Sequence, residues 1–187
     1  MKIVRLFWVV IVGLALTLSA GLASAQALNS GAQTIALNAN LAESLSVTLS
    51  ANTVNFALSA GSASNPGSAG ITATTAWTLA PGRTSVGIYA YFASATAALT
   101  DGTNNIPSSA FFIADNAGAP AALTNTVAYG GAAAGLKLAT VPITGTNRSA
   151  NHTDAMTFNI NLTGGTLPQL PASTYTGTLN IQAQATP

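Results

Sequence analysis

Ile71-Thr72-Ala73-Thr74-Thr75-Ala76-Trp77-Thr78-Leu79 places Ile71, Ala73, Thr75, Trp77 and Leu79 on one side of an extended chain and Thr72, Thr74, Ala76 and Thr78 on the other. Successive side chains of a strand point to opposite faces, so this alternation predicts a β-strand buried on one face and solvated on the other. The same period recurs at residues 156–162, where Met156, Phe158, Ile160 and Leu162 oppose Thr157, Asn159 and Asn161. It recurs again at 175–183 and at 86–92, the latter with Tyr89 and Tyr91 on its other face. Weaker runs cover 54–58, 111–113, 123–129 and 136–143. Helix-favouring surface residues are scarce, with charged residues only 5% of the 187, so nothing competes with the strand pattern.

Turn chemistry separates these runs. Asn65-Pro66-Gly67, Pro81-Gly82, Asp101-Gly102 and Gly164-Gly165 supply positive φ or a fixed proline φ where the chain must reverse. Short strands between such turns predict an all-β fold, an antiparallel two-sheet immunoglobulin-like β-sandwich. An up-and-down barrel is the second choice, since the loops are uneven in length. No linker or composition shift divides the chain, so residues 26–187 read as a single domain.

Residues 1–25 follow the secretory pattern: Lys2 and Arg5 at the start, an apolar stretch from Leu6 to Leu18, and Ala23-Ser24-Ala25 before Gln26. The apolar core is shorter than the roughly 20 residues that span a bilayer, so a cleaved signal peptide is expected and no membrane span after cleavage. The product is then secreted, periplasmic or on the extracellular cell surface. It keeps Arg83, Lys137 and Arg148 against Glu43, Asp101, Asp115 and Asp154. Three scattered cations give no basic face for nucleic acid. The absence of cysteine rules out disulfides, thiolate zinc sites and thiol catalysis.

At residues 34–50, Ile35, Leu37, Ala39 and Leu41 alternate with Ala36, Asn38 and Asn40, and Leu45, Val47 and Leu49 alternate with Ser46 and Thr48. The shared odd phase places Glu43 on the apolar side, where an unpartnered carboxylate costs several kcal/mol. A break is therefore expected there: a bulge, an edge position or a change of sheet. Residues 34–50 then read either as a first strand that switches sheets within its own domain, or as an arm at 26–41 that completes a neighbour's sheet. The second reading makes Ile35, Leu37 and Leu41 donor knobs. Exposed edges are ordinarily guarded by charge or proline, and this chain has little charge to guard with. Strand addition is one way of covering such edges.

The leader, the alternating arm and the ending Leu170-Pro171-Ala172-Ser173-Thr174-Tyr175-Thr176-Gly177-Thr178-Leu179 together resemble secreted bacterial β-sandwich subunits, the spore-coat-U-like and chaperone–usher pilin families. The chain departs from them in lacking a cysteine pair and in ending Gln184-Ala185-Thr186-Pro187. The resemblance implies a filament, coat or matrix building block, and hence a homo-oligomer or filament.

Candidate chemistry is sparse. Ser149, His152 and Asp154 have the residue types of a hydrolase triad but crowd one polar stretch, which reads as a solvated hairpin loop. Asp101-Gly102-Thr103-Asn104-Asn105 lacks the register of a calcium loop and reads as an Asx-type turn, as does Asp115-Asn116-Ala117-Gly118. No catalytic residue, metal or cofactor is expected. Trp77 lies in the buried phase of its strand, whereas Tyr89 and Tyr91 lie on the opposite face. The alternative to a structural subunit is therefore a secreted binding module that stacks surface carbohydrate on Tyr89 and Tyr91, unless a loop or a neighbouring subunit covers them.

Overall fold

The 71–79 alternation becomes a strand whose inward side chains Ile71, Ala73, Thr75 and Trp77 are all buried. A computed structural model describes residues 27–187; the proposed leader lies outside the described residues. In chain order the strands are β1 (Ser44–Leu49), β2 (Asn65–Pro66), β3 (Ile71–Thr78), β4 (Ser85–Tyr91), β5 (Leu99–Thr100) and β6 (Asn105–Ile106). They continue with β7 (Phe111–Asp115), β8 (Ala121–Ala122), β9 (Gly135–Pro142), β10 (Ser149–Ile160) and β11 (Asn180–Thr186). The fold is all-β with antiparallel sheets, in a sandwich-like arrangement. Two single 3-10 turns, Ser108–Ala110 and Leu167–Gln169, are the only helical elements among the described residues. No described helix is long and apolar enough to cross a membrane.

One sheet has the order β1-β3-β10-β7-β8, with β2 on the end of β10; a second has the order β11-β4-β9, and β5 and β6 pair as a separate two-stranded sheet. β10 is the spine of the first sheet. Its Ser149–Met156 half pairs with β3, its Met156–Ile160 half with β7, and Ile160 also faces Asn65 of β2. Inward residues of both sheets meet in two clusters. One is built around Phe111, Ile113, Phe158 and Ile160, the other around Trp77, Val86 and Ile88. The contact between facing apolar layers is the main source of stability in such an arrangement.

Two expectations change. The polar stretch at 146–154 is a loop only as far as Arg148; from Ser149 it is strand. The phase of Met156, Phe158 and Ile160 runs back through Asp154, His152 and Ala150, and the polar inward residues conceal it. Residues 123–129 form a loop instead of a strand, because only Leu123 is buried and the chain must turn at Gly130 (φ +77°) and Ala133 (φ 54°).

Glu43 lies just before β1 and is exposed, so the expected break is an edge position. Its carboxylate accepts the Ala80 N–H at 2.8 Å and Arg83 guanidinium N–H groups at 3.2 Å. The Arg83 hydrogen bond, then that of Ala80, holds the Glu43 carboxyl below its ordinary range.

Asn65, 1% exposed, closes the other end of the sheet. Its Oδ1 accepts from Ser59 N–H at 2.7 Å, while Nδ2 donates to the Ser62 and Ile160 carbonyls at 3.1 and 2.8 Å. Asn65→Ala strands these backbone groups and should lower unfolding free energy by about 2–3 kcal/mol, measured by urea denaturation.

Candidate functional site

Residues 54–58 and 175–179 carry the strand alternation, yet neither is part of a strand. The first follows β1 and the second leads into β11. They form the two walls of one groove of about 730 Å³, whose walls are residues 51–58 and 172–179. Its floor is the sandwich core itself, including Phe111, Met156, Phe158 and Ile160. Phe111 is the hub of that floor, with Phe92, Phe56 and Phe158 ring centroids at 5.2, 5.7 and 5.9 Å.

Each wall is held on its outer side. Ser68 N–H donates to the Asn55 carbonyl at 2.8 Å, Asn55 N–H to the Ser68 hydroxyl at 3.1 Å, and Phe56 forms an isolated bridge with Gly67. Gly67 permits this approach, since a Cβ there would lie 2.7 Å from Val54 Cγ1. On the opposite wall Thr176 and Thr100 exchange both backbone hydrogen bonds at 2.9 Å. Gly177 lies so close to the Ala98 carbonyl that a Cβ would overlap it. Across the groove no backbone hydrogen bond joins the walls among the described residues. The groove between the walls has an apolar floor.

The arm residues 27–40 have no strand or helix and are exposed throughout. Ile35, Leu37 and Leu41 are 84%, 89% and 84% exposed. Among the described residues the exposed large apolar side chains are these three, Leu28, Leu49 and Leu58. Four of them belong to the arm, whereas Leu49 and Leu58 line the groove. No exposed large apolar side chain lies elsewhere in the described protein, although nearly half its residues are hydrophobic.

Tyr89 and Tyr91 stand on the outward face of β4 and are half-buried. Tyr129, from the 123–134 loop, stacks on Tyr91 at 5.8 Å and meets Tyr89 edge-on at 6.0 Å. Tyr91 O–H donates to Gln182 Oε1 at 2.7 Å, and Tyr129 O–H to the Ala183 carbonyl at 3.2 Å. Burial, then Tyr89 and Tyr91, push the Tyr129 phenol up. The tyrosines thus pack a loop onto the sheet, and the available stacking surface is largely taken by Tyr129.

The triad residue types do not converge. Ser149 points outward and shares a hydrogen bond with the Thr78 hydroxyl at 3.2 Å, whereas His152 points inward and meets Asp154 at 3.1 Å. Asp101 caps its own turn through the Thr103 and Asn104 N–H groups at 2.9 and 2.6 Å, and the Asn104 backbone bond leads in holding its carboxyl at about 2. No group of three His, Cys, Asp or Glu side chains is placed to hold a metal among the described residues. The sequence reading named the arm but not the groove residues Phe56, Phe111 and Phe158. Their signal was present in two apolar alternations, but nothing local showed that each would lack a partner on one side.

Comparison of the chain with protein-family models, curated proteins and solved structures returned no match.

Phe111→Ala should remove the hub of the floor and destabilise the protein by about 3–5 kcal/mol, read as a lower urea midpoint with unchanged denaturant slope.

Proposed function

We propose that this protein is a secreted, non-enzymatic structural subunit of a surface filament, coat or matrix, assembling by β-strand addition. The leader at residues 1–25 directs export, and the product works outside the cytoplasm. In this reading the body is an immunoglobulin-like sandwich with one strand position open, and residues 34–41 of a second copy fill it. The supporting observation is the distribution of exposed apolar side chains between the arm and the groove. A strand laid between the walls gains main-chain hydrogen bonds from both, and its alternate side chains enter the floor. The 34–41 segment fits that requirement: Ile35, Leu37, Ala39 and Leu41 fall on one side, it equals either wall in length, and it has no proline or charge. Burying its apolar side chains contributes about 1.5–3 kcal/mol for each Leu or Ile fully covered, which offsets part of the cost of ordering the arm. The resemblance to spore-coat-U-like and pilin subunits points the same way. A carbohydrate-binding role for Tyr89 and Tyr91 has less support, because Tyr129 covers their stacking surface.

Purified protein should form oligomers or filaments visible by electron microscopy and sedimentation. Deletion of residues 26–41 should abolish assembly and leave a folded body that a synthetic 27–41 peptide stabilises in a thermal melt. The same peptide with Leu37→Asp should bind at least about 100-fold more weakly, since it places an unpaired charge on an apolar floor. A deleted body that assembles as before, or that ignores the peptide, would sink the reading.

A further inference from the structure

Asp115, Asp154 and His152 meet on the inward face of the first sheet, at the point where β7 ends and β10 continues with β3 alone beside it. Asp115 stands opposite Met156, so Asp154 is its neighbour one inward step along β10. Asp154 is fully buried, and its Oδ1 faces His152 Nε2 at 3.1 Å. Two carboxylate oxygens, Oδ1 of Asp115 and Oδ2 of Asp154, are buried without a hydrogen-bond partner among the described residues. So is Oγ1 of Thr75, on the same face and cross-strand from His152. Buried unpaired polar atoms are rare, and facing carboxylates repel, so this pair calls for a group between them.

The other charged groups do not supply one. β1, β3, β4, β8 and β11 contain no charged residue. Lys137, the single charge of β9, pairs in register with Tyr89 of β4, whose side chain faces outward, and is itself exposed. Arg148 turns its guanidinium to the Ala80 and Arg83 carbonyls. Asp115, Asp154 and His152 are not placed to hold a metal ion together, nor is any other such group among the described residues.

We propose that Asp115 and Asp154 share one proton in the folded protein, so that the inner corner of β7 and β10 is closed in acid and loosened as pH rises. Asp115 is the acid and donates O–H from Oδ1 to Oδ2 of the Asp154 carboxylate; His152 donates Nε2–H to Oδ1 of the same carboxylate. One proton thereby satisfies both orphaned oxygens and leaves the pair with a single negative charge. Burial, followed by the Asp154 charge and hydrogen bond, pushes the Asp115 carboxyl up, while His152 and the Asn116 N–H act in the opposite direction. The sign follows from linkage. Because the folded state holds this proton more tightly than the unfolded chain, the stability it contributes is complete below the ordinary carboxylate value of about 4 and is lost as pH rises through the folded value. The proposal concerns the body alone and is independent of assembly by strand addition.

The test is a carboxyl-carbon NMR titration of the full-length protein with labelled aspartate, beside thermal melts of the wild type and Asp115→Asn. Asp115 should titrate above about 4, and the wild-type melting temperature should fall by about 3 °C across its titration. D115N replaces the shared proton with a fixed amide N–H and should melt without that fall. An Asp115 midpoint at or below about 4, or a D115N melt with the wild-type slope, overturns the proposal. So does a rise in wild-type melting temperature with millimolar Ca²⁺ that D115N abolishes, because a cation would then occupy the proton's place. If D115N fails to fold, the wild-type titration decides alone.

Discussion

An apolar floor left open between two wall segments is the constraint on which the rest of this structure depends. Backbone N–H and C=O groups along a sheet must be paired or solvated, and apolar floor residues must be covered. Water meets the first demand at the groove but not the second. Phe111, Phe158 and Ile160 belong to the central core cluster, so the groove opens directly onto the interior. Under the proposed strand addition, an incoming strand meets both demands together.

The scarcity of charge bears on the same point. A protein protects a lone edge with lysine, an inward carboxylate or proline. Here the two inward carboxylates, Asp115 and Asp154, sit within the first sheet, away from the groove walls, and Arg83 is engaged with Glu43 at the start of β1. The walls carry no charge, and no proline interrupts them. The body thus commits its few ions to internal geometry and leaves the groove walls without charge or proline.

Alternation made β3, β4, β9 and the inner half of β10 legible, because each is buried on one face by its own sheet's partner layer. Pairing was not legible. β10 is joined to β3 and β7, both distant in sequence, and which strand neighbours which is a property of the whole core. The polar half of β10 was missed because its inward residues are His152 and Asp154, whose burial depends on Asp115 from another strand. Alternation at 54–58 and 175–179 predicted strands that the structure does not have, because a pattern within one segment reports which side chains face inward and says nothing about hydrogen-bond partners. The arm residues Ile35, Leu37 and Leu41 were visible for the same reason; the groove was not, because its walls come from segments distant in sequence.

Chain reach decides whether the arm fills its own groove. The arm joins the start of β1, while the groove wall begins beyond Leu49, at the far end of that strand. β1 spans about 17 Å from Ser44 to Leu49. Leu41, only three residues before Ser44 and able to travel about 10 Å from it, cannot reach past the end of β1. Ile35 and Leu37, nine and seven residues before Ser44, have the chain length to pass the end of β1, but Leu41 does not. Leu41 therefore cannot join Ile35 and Leu37 in the groove of its own copy, and under the proposed assembly the three would enter a groove of another copy. In the proposed assembly such a tether makes the contact directional, since the arm joins the chain before β1 and the groove wall follows β1 in sequence. Contacts of that head-to-tail kind extend into open chains when the rotation between copies does not close a ring.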